Sequence, residues 1–247
     1  MVKQERAART RQALIQAGAE VFAQDGLART SLSRISQRAG VSNGALHFHF
    51  ENKQALVQAI EAQAREAVRQ IMRDVAARDS GPLQSLVDAT YRLMSRIGGD
   101  VVVRVGFELS GDPSRGPGPT IRREWQRWVA DVLLRADEDG WLAEGVSADD
   151  ATTAVVAATV GLEVLSGEDE AWMSEERVTG LWCLLLPRLT ERHALVRLGA
   201  QESGSDPEDP HNRRHRLLPT TVDVGPVDPL PALSGGTDPV EADFESR

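Results

Sequence analysis

The chain has 247 residues, a formal net charge of −9 and a single cysteine. That length allows one or two domains with a full apolar core, and one cysteine excludes an internal disulfide. The charged amino-terminal segment does not resemble a signal peptide, and no segment has the ~18 consecutive apolar residues of a membrane span, so we expect a cytoplasmic protein. Because its neighbours are apolar, we expect Cys183 to be a buried thiol.

The segment Thr30–Lys53 predicts two short helices joined by a tight turn, after a first helix over about residues 5–24. Thr30 or Ser31 can cap the first short helix, Gly40 supplies the turn, and Ser42 can cap the second. This pattern outlines a helix-turn-helix, which would bind DNA. An ordinary bundle of small helices is the alternative interpretation.

The second short helix is expected to bury Ala45, Leu46 and Phe48. Its outer surface would then consist of small or polar groups, as in a helix that approaches base edges. Lys53 lies in the first turn of the next helix, where a cation is unfavourable, and a nearby DNA phosphate would explain it. The candidate DNA-binding residues are Ser31, Arg34, Ser42, Asn43, Gly44, His47, His49 and Lys53.

Helical periodicity continues through most of the chain, and no alternating β pattern of useful length appears. We therefore predict an all-α fold. The later elements are expected to be a long helix from Asn52 to about residue 79, helical residues 83–109 with a break at 98–99, a loop at 112–119, and helices over 120–138, 148–166 and 174–198, the last kinked at Pro187.

The end of the chain differs in composition. Residues 201–247 carry ten acidic and four basic side chains and seven of the twelve prolines, and we expect residues 200–247 to be a disordered tail. Residues 1–55 carry eight basic and four acidic side chains, so that end can meet phosphates. A basic helix is more often only a solvated surface, so the charge supports a DNA-binding function weakly.

The pieces AEVFAQDGLARTSLSRIS, RAGVSNGAL and HFHFENKQAL resemble the TetR-type transcriptional repressors, over about residues 6–60. GALHFHFENKQAL is most similar to the γ-butyrolactone receptors of actinomycetes and their pseudo-receptor relatives. The resemblance implies a homodimer with a three-helix DNA-binding domain over residues 1–52 and a helical ligand-binding and dimerisation domain over residues 53–199. It also implies repression of a palindromic operator, in control of secondary metabolism, and release by a γ-butyrolactone, butenolide, furan or antibiotic.

The same resemblance implies that a tryptophan of the helix near residue 125 faces the ligand. Trp125 corresponds best, and Trp128 lies three residues further on; their helical spacing is equally consistent with ordinary core packing. A regulator that needs no ligand, or an activator, remains an alternative.

The sequence contains no catalytic or metal-binding motif such as HExxH, CxxC, GxSxG or a P-loop. We therefore predict no enzyme, no cofactor and no metal. His211 and His215 have a suitable spacing but lie in the proline-rich tail.

Overall fold

The computed structural model describes residues 2–78, 80–111 and 120–190. Within them the regular secondary structure is helical, with turns and loops between the helices and one isolated antiparallel bridge between Leu142 and Thr190. The predicted all-α fold is confirmed, and no helix of the described part has the length and apolar character needed to cross a membrane. The helices are α1 (Val2–Asp25), α2 (Leu32–Arg38), α3 (Asn43–His49), α4 (Lys53–Ala76), α5 (Pro82–Gly99), α6 (Val101–Ser110), α7 (Ile121–Glu138), α8 (Ala148–Ser166) and α9 (Glu175–Leu189), with a short 3-10 helix (Glu170–Met173) before the last.

Helices α1 to α3 form the amino-terminal part, and both short helices begin at a serine cap. The Ser31 Oγ accepts a hydrogen bond from the Arg34 backbone N–H at 3.3 Å, and the Ser42 Oγ accepts one from Ala45 at 3.1 Å. These bonds satisfy amides that the first turn of a helix leaves without a partner. Gly40 adopts a φ of +66° between the helices, a conformation that glycine takes without strain.

The core of this amino-terminal part also includes side chains of α4 and α6. Ile35 of α2 and Leu46 of α3 are fully buried, and they belong to one apolar cluster with Val102 and Val105 of α6. Each such side chain contributes roughly 1.5–3 kcal/mol through its burial. Helix α6 is thus packed into the same core as the helix-turn-helix.

Helices α4 and α6 cross at very short range. A Cβ added at Gly106 of α6 would lie only 2.3 Å from the Ala64 Cβ of α4. The two backbones reach this separation because position 106 has no side chain. Helix α4 is therefore linked to the amino-terminal part in two ways: it follows α3 in the chain, and it packs against α6, which shares the core of the helix-turn-helix.

The predicted break within residues 83–109 is present at Asp100. Its Oδ1 accepts hydrogen bonds from the backbone N–H groups of Val102 and Val103, at 2.9 and 3.4 Å, and so caps α6. Helix α5 also contacts α9, where the Tyr91 hydroxyl donates to the Thr179 Oγ1 at 2.7 Å. Burial raises the pKa of the Tyr91 hydroxyl to about 12, although the bond to Thr179 lowers it.

Two predicted burials are wrong. Phe48 is 81% exposed on α3, because Leu46 and Phe50 are four residues apart and occupy the buried side of the chain at this point. Cys183 is exposed on α9, next to Leu184, which is 75% exposed. Helix α9 continues through Pro187 to Leu189, while its predicted extension to residue 198, the 112–119 loop and the tail lie outside the described residues.

Candidate DNA-binding surface and effector pocket

The outer surface of α3 consists of the residues that the sequence indicated. Ser42, Asn43, Gly44 and His47 are all exposed, and His49 is half-buried. Ser42, Asn43 and Gly44 lie at the start of this seven-residue helix and the two histidines lie in its last turn, while the fully buried Leu46 holds the opposite side. A rigid helix with small and polar groups at its exposed amino-terminal end has the form that fits the major groove.

Asn43 also joins the two helices of the motif. Its Oδ1 accepts a hydrogen bond from the Oγ of Ser36, a buried residue of α2. The amide oxygen is thereby engaged, so the amide N–H groups are the part of Asn43 that remains to donate outward. Gly40 permits the tight turn between α2 and α3, and this hydrogen bond further restricts the angle between the two helices.

The two arginines of α2 are paired with acids of α1. The Arg34 Nε lies 2.9 Å from Asp25 Oδ2, and the Arg38 Nε donates to Glu20 Oε2 at 2.6 Å. The Arg38 bond, followed by one from Gln16, lowers the pKa of Glu20. Arg34 is still more than half exposed, so one ion pair does not prevent it from meeting a phosphate.

Lys53 has a structural explanation that the sequence did not supply. Its Nζ donates to the backbone carbonyls of Leu27 and Thr30, at 2.9 and 3.1 Å. These two bonds hold the loop between α1 and α2 against the start of α4. These carbonyls account for a lysine in this turn without the DNA phosphate that the sequence suggested, and a phosphate contact of Lys53 stays a prediction.

Phe48 was missed as a surface residue. Its ring contacts the His49 ring edge-on, with centroids 5.1 Å apart, and it extends the exposed side of α3 beyond His47. The signal was present in the sequence, because Leu46 and Phe50 share one side and Phe48 falls between them. An apolar group here can contact a thymine methyl.

Trp125 lies inside the carboxyl-terminal helices. It is 2% exposed, its Nε1 donates to the Thr159 Oγ1 of α8 at 2.9 Å, and its ring stacks on Trp128 with centroids 5.3 Å apart. Thr159 in turn donates to the Val155 carbonyl at 2.9 Å. The indole is thus fully partnered in this state.

A small cavity adjoins Trp125. Its volume is ≈10 Å³, which suffices for one water but not for an organic effector. Its exposed wall is apolar, because the polar atoms of Arg122, Thr159 and Glu163 are engaged in hydrogen bonds. The residues that line it are Leu93, Met94, Ile97, Phe107, Arg122, Trp125, Thr159, Val160 and Glu163.

Two of the residues that line this cavity form a bidentate ion pair between α7 and α8. Arg122 donates from Nε and an Nη to the two oxygens of Glu163, at 2.9 and 3.1 Å. Burial raises the pKa of Glu163, and Arg122 opposes that effect. Removing either partner would leave a desolvated charge, so the pair holds the two helices at a fixed separation.

Glu124, the neighbour of Trp125, connects α7 to α4. Its carboxylate accepts from the Arg69 Nε and Nη at 3.0 and 2.9 Å and lies 3.2 Å from the Arg65 Nε. The Glu124 side chain is only 13% exposed, which protects the cluster from screening. The helix that carries Trp125 is thereby tied to the helix that follows the helix-turn-helix.

Two short, serine-capped helices joined by a tight turn at Gly40, with the outer side of the second one exposed, define this chain as a helix-turn-helix protein. Residues 14–60 match the family described as "Bacterial regulatory proteins, tetR family". The A-factor receptor protein of Streptomyces griseus is 30% identical over 190 residues, which are 76% of this chain and 67% of that protein. The chain belongs to the TetR family, and it is a transcriptional regulator similar to the γ-butyrolactone receptors.

Solved structures agree with this assignment. A gamma-butyrolactone receptor (ArpA-like protein) matches with a TM-score of 0.65 and 26% identity, over 81% of this chain and 99% of that one. CprB from Streptomyces coelicolor, in complex with its biological operator sequence, matches with a TM-score of 0.66 and 26% identity, over 79% and 95%.

Proposed function

We propose that this protein is a ligand-responsive transcriptional repressor that binds a palindromic operator as a homodimer and is released by a small molecule. Residues 1–52 bind DNA, and residues 53–199 bind the effector and the second subunit. The observation that carries the proposal is the exposed α3 surface, together with the similarity to the A-factor receptor. By analogy with such receptors, the effector is a γ-butyrolactone or a related butenolide, furan or antibiotic.

In the proposed complex, α3 enters the major groove. Asn43, Gly44, His47 and Phe48 approach base edges, because these residues form its exposed side. Phosphate contacts are assigned to Ser31, Arg34, Ser42, His49 and Lys53. Lys53 has one ammonium hydrogen beyond the two that bind carbonyls, and that hydrogen is available for a phosphate.

Dimerisation is supported by exposed apolar side chains on each of the helices α8 and α9. Val164 is 54% exposed, Leu165 39% and Leu184 75%, and Cys183 is exposed beside Leu184. A second copy of the chain is the proposed occupant, because a two-fold dimer would place two copies of α3 against successive major grooves. The two copies of α3 would then lie one helical turn of DNA apart, ~34–36 Å, and each would contact one half-site of a palindrome.

The effector is proposed to enter at Trp125 and to stabilise an open form of the ≈10 Å³ cavity. Opening requires α7 to move away from α5 or α8, and Glu124 transmits that movement to α4. The size of the response is limited by the effector's differential affinity for the two forms, typically ~1–3 kcal/mol, or 5- to 150-fold in DNA affinity.

The closed cavity also favours a second candidate, a DNA-binding regulator that needs no ligand. In that case Trp125 and Trp128 would be only core residues. Tryptophan fluorescence separates the two candidates, because a molecule that enters beside Trp125 must break its bond to Thr159 or its stacking and so change the emission.

The function is tested by selecting bound duplexes from a random pool and then titrating the recovered site with candidate effectors. We expect a palindromic site, and we expect an effector to release it from the wild type but not from Trp125→Ala. Asn43→Ala and His47→Ala should change which DNA sequences are preferred, whereas Lys53→Ala should lower the affinity for all DNA sequences by a similar factor. No preference for any duplex at low ionic strength would refute the DNA-binding proposal, and unchanged release in Trp125→Ala would refute the pocket.

A further inference from the structure

A second, larger cavity lies between α1 and the α5–α6 junction, and we call it the junction groove. Its volume is ≈710 Å³, within the ~300–1,000 Å³ range of small-molecule sites. One wall is Gln16 of α1, and the other includes Arg92, Ser95 and Arg96 of α5 and Arg104 of α6. The junction groove shares no lining residue with the cavity at Trp125.

The charge of the junction groove is unbalanced. Three guanidinium groups line it, against the one carboxylate of Asp100. Arg92 and Arg96 are four residues apart on α5, and like charges at this spacing repel each other. A bound anion would remove this repulsion.

The acids near the groove do not neutralise it. Asp100 lies 3.1 Å from Arg96, and the same carboxylate caps α6 through Oδ1. Glu170 is 3.7 Å from Arg104 but is 90% exposed, so that pair is weak. Arg92 is half-buried and makes no ion pair or hydrogen bond with the part of the chain that the structure describes.

We propose that the junction groove binds a small organic anion through a carboxylate or phosphate group. Arg92 and Arg104 are the principal ligands, because the fork of a guanidinium fits both anions bidentately and neither side chain has a strong competing acid. The Ser95 hydroxyl is a neutral donor in the same wall. A groove of this size holds an organic molecule and not merely an inorganic ion.

The position of the groove gives the anion a regulatory consequence. Gln16 belongs to the helix that supports α2 and α3, whereas Arg92 and Arg104 belong to the carboxyl-terminal helices. A molecule that contacts both sides binds best in one arrangement of α1 against α5 and α6. It therefore favours that arrangement, independently of whatever enters at Trp125.

The test is calorimetric titration of the full chain with citrate as the carboxylate and adenosine monophosphate as the phosphate, at constant ionic strength. We expect saturable binding of at least one, weakened about tenfold or more in Arg92→Gln and in Arg104→Gln. Arg123→Gln, which removes an exposed arginine of α7 outside the groove, is the matched control and should bind as the wild type.

Arg104→Gln keeps the test valid if Arg92→Gln does not fold, because its ion pair is with the exposed Glu170 and its other charged neighbour, Glu108, becomes neutral more readily once the arginine is gone. Gln16→Ala should also weaken binding if the molecule reaches α1. Absence of binding by both probes, or equal binding by the arginine variants and the Arg123→Gln control, overturns the proposal. The latter result would place the anion outside the junction groove. None of these measurements requires an operator.

Discussion

Lys53 stabilises the fold through contacts within the protein, although its charge at the start of α4 had suggested a contact with a DNA phosphate. The Lys53 ammonium binds two carbonyls of the loop between α1 and α2, so it compensates inside the protein for its unfavourable place in the first turn of α4. Thr30 directly precedes Ser31, the cap of α2, so the bonds of Lys53 hold the chain in place where α2 begins. Lys53 thus positions the whole helix-turn-helix.

We expect Lys53→Met to lower the free energy of unfolding by roughly 1–3 kcal/mol, because it removes two charge-assisted hydrogen bonds from a half-buried group. Urea unfolding measures this change. Arg29→Met removes an exposed cation from the same loop and should change the free energy by no more than about 0.5 kcal/mol. Equal effects of the two substitutions would contradict the structural role.

Tyr91 gives a prediction at high pH, since it is the only tyrosine of the chain. Its pKa is raised to about 12 by burial, so its neutral form stabilises the fold fully below pH 10 and less as the pH rises from 10 to 12. We expect a loss of roughly 2–3 kcal/mol over that interval. Tyrosinate absorbance and urea unfolding measure it, and Tyr91→Phe should lack the decline attributable to this group. Ionisation near pH 10 in the native protein would refute the assignment.

For single residues, the sequence predicted helix caps and turns better than it predicted the hydrogen-bond partners of side chains. Ser31, Ser42 and Gly40 are local signals, because a cap or a positive φ depends on the next three or four residues. The bonds of Lys53 to Leu27 and Thr30 span 26 and 23 residues, and no local pattern encodes them. Phe48 was placed on the wrong side although Leu46 and Phe50, four residues apart, mark the buried side of the chain at this point.

Among the elements, α4 and α6 approach each other so closely that position 106 has no room for a side chain. We expect Gly106→Ala to destabilise the protein by about 1–3 kcal/mol, because the new methyl would overlap the Ala64 Cβ. Thermal or urea unfolding measures the loss. Gly99→Ala, at the end of α5, meets nothing within 4 Å and should be neutral or slightly stabilising. A neutral Gly106→Ala would show that the crossing can widen freely.

The connection between α7 and α4 gives a second prediction at this scale. Glu124→Gln should lower the free energy of unfolding by roughly 1–2 kcal/mol, since it takes the charge from a mostly buried carboxylate that faces Arg65 and Arg69. Glu66→Gln affects an exposed pair with Arg73 and should change stability by less than about 0.5 kcal/mol. Indistinguishable urea midpoints for the two variants would mean that the Glu124 cluster does not tie the helices together.

Helix positions were predictable because most helices carry an apolar period, and several begin at a side-chain cap, as at Thr120 for α7 and Ser147 for α8. The contacts between helices were not. Arg122 with Glu163, and Glu124 with Arg69, join residues 41 and 55 positions apart, and their charges resemble solvated surface in the sequence. The walls of both cavities therefore became apparent only from the packing.

For the whole molecule, the proposed dimer is the feature on which operator recognition depends. Leu184→Glu should raise the dimer dissociation constant by on the order of 10- to 100-fold, because two-fold symmetry places the charge twice in an apolar contact. Analytical ultracentrifugation measures it, and operator affinity should fall in parallel. Leu134→Glu, on the exposed side of α7, is the control and should remain dimeric. A dimeric Leu184→Glu would place the interface elsewhere.

The closed cavity at Trp125 has a consequence for the timing of the response. If the effector must wait for a rare opening, its association rate is reduced by the fraction of molecules that are open. A brief increase in effector concentration would then end before the protein leaves the DNA, while a sustained increase would release it. A receptor that is shut at rest acts as a filter against transient signals.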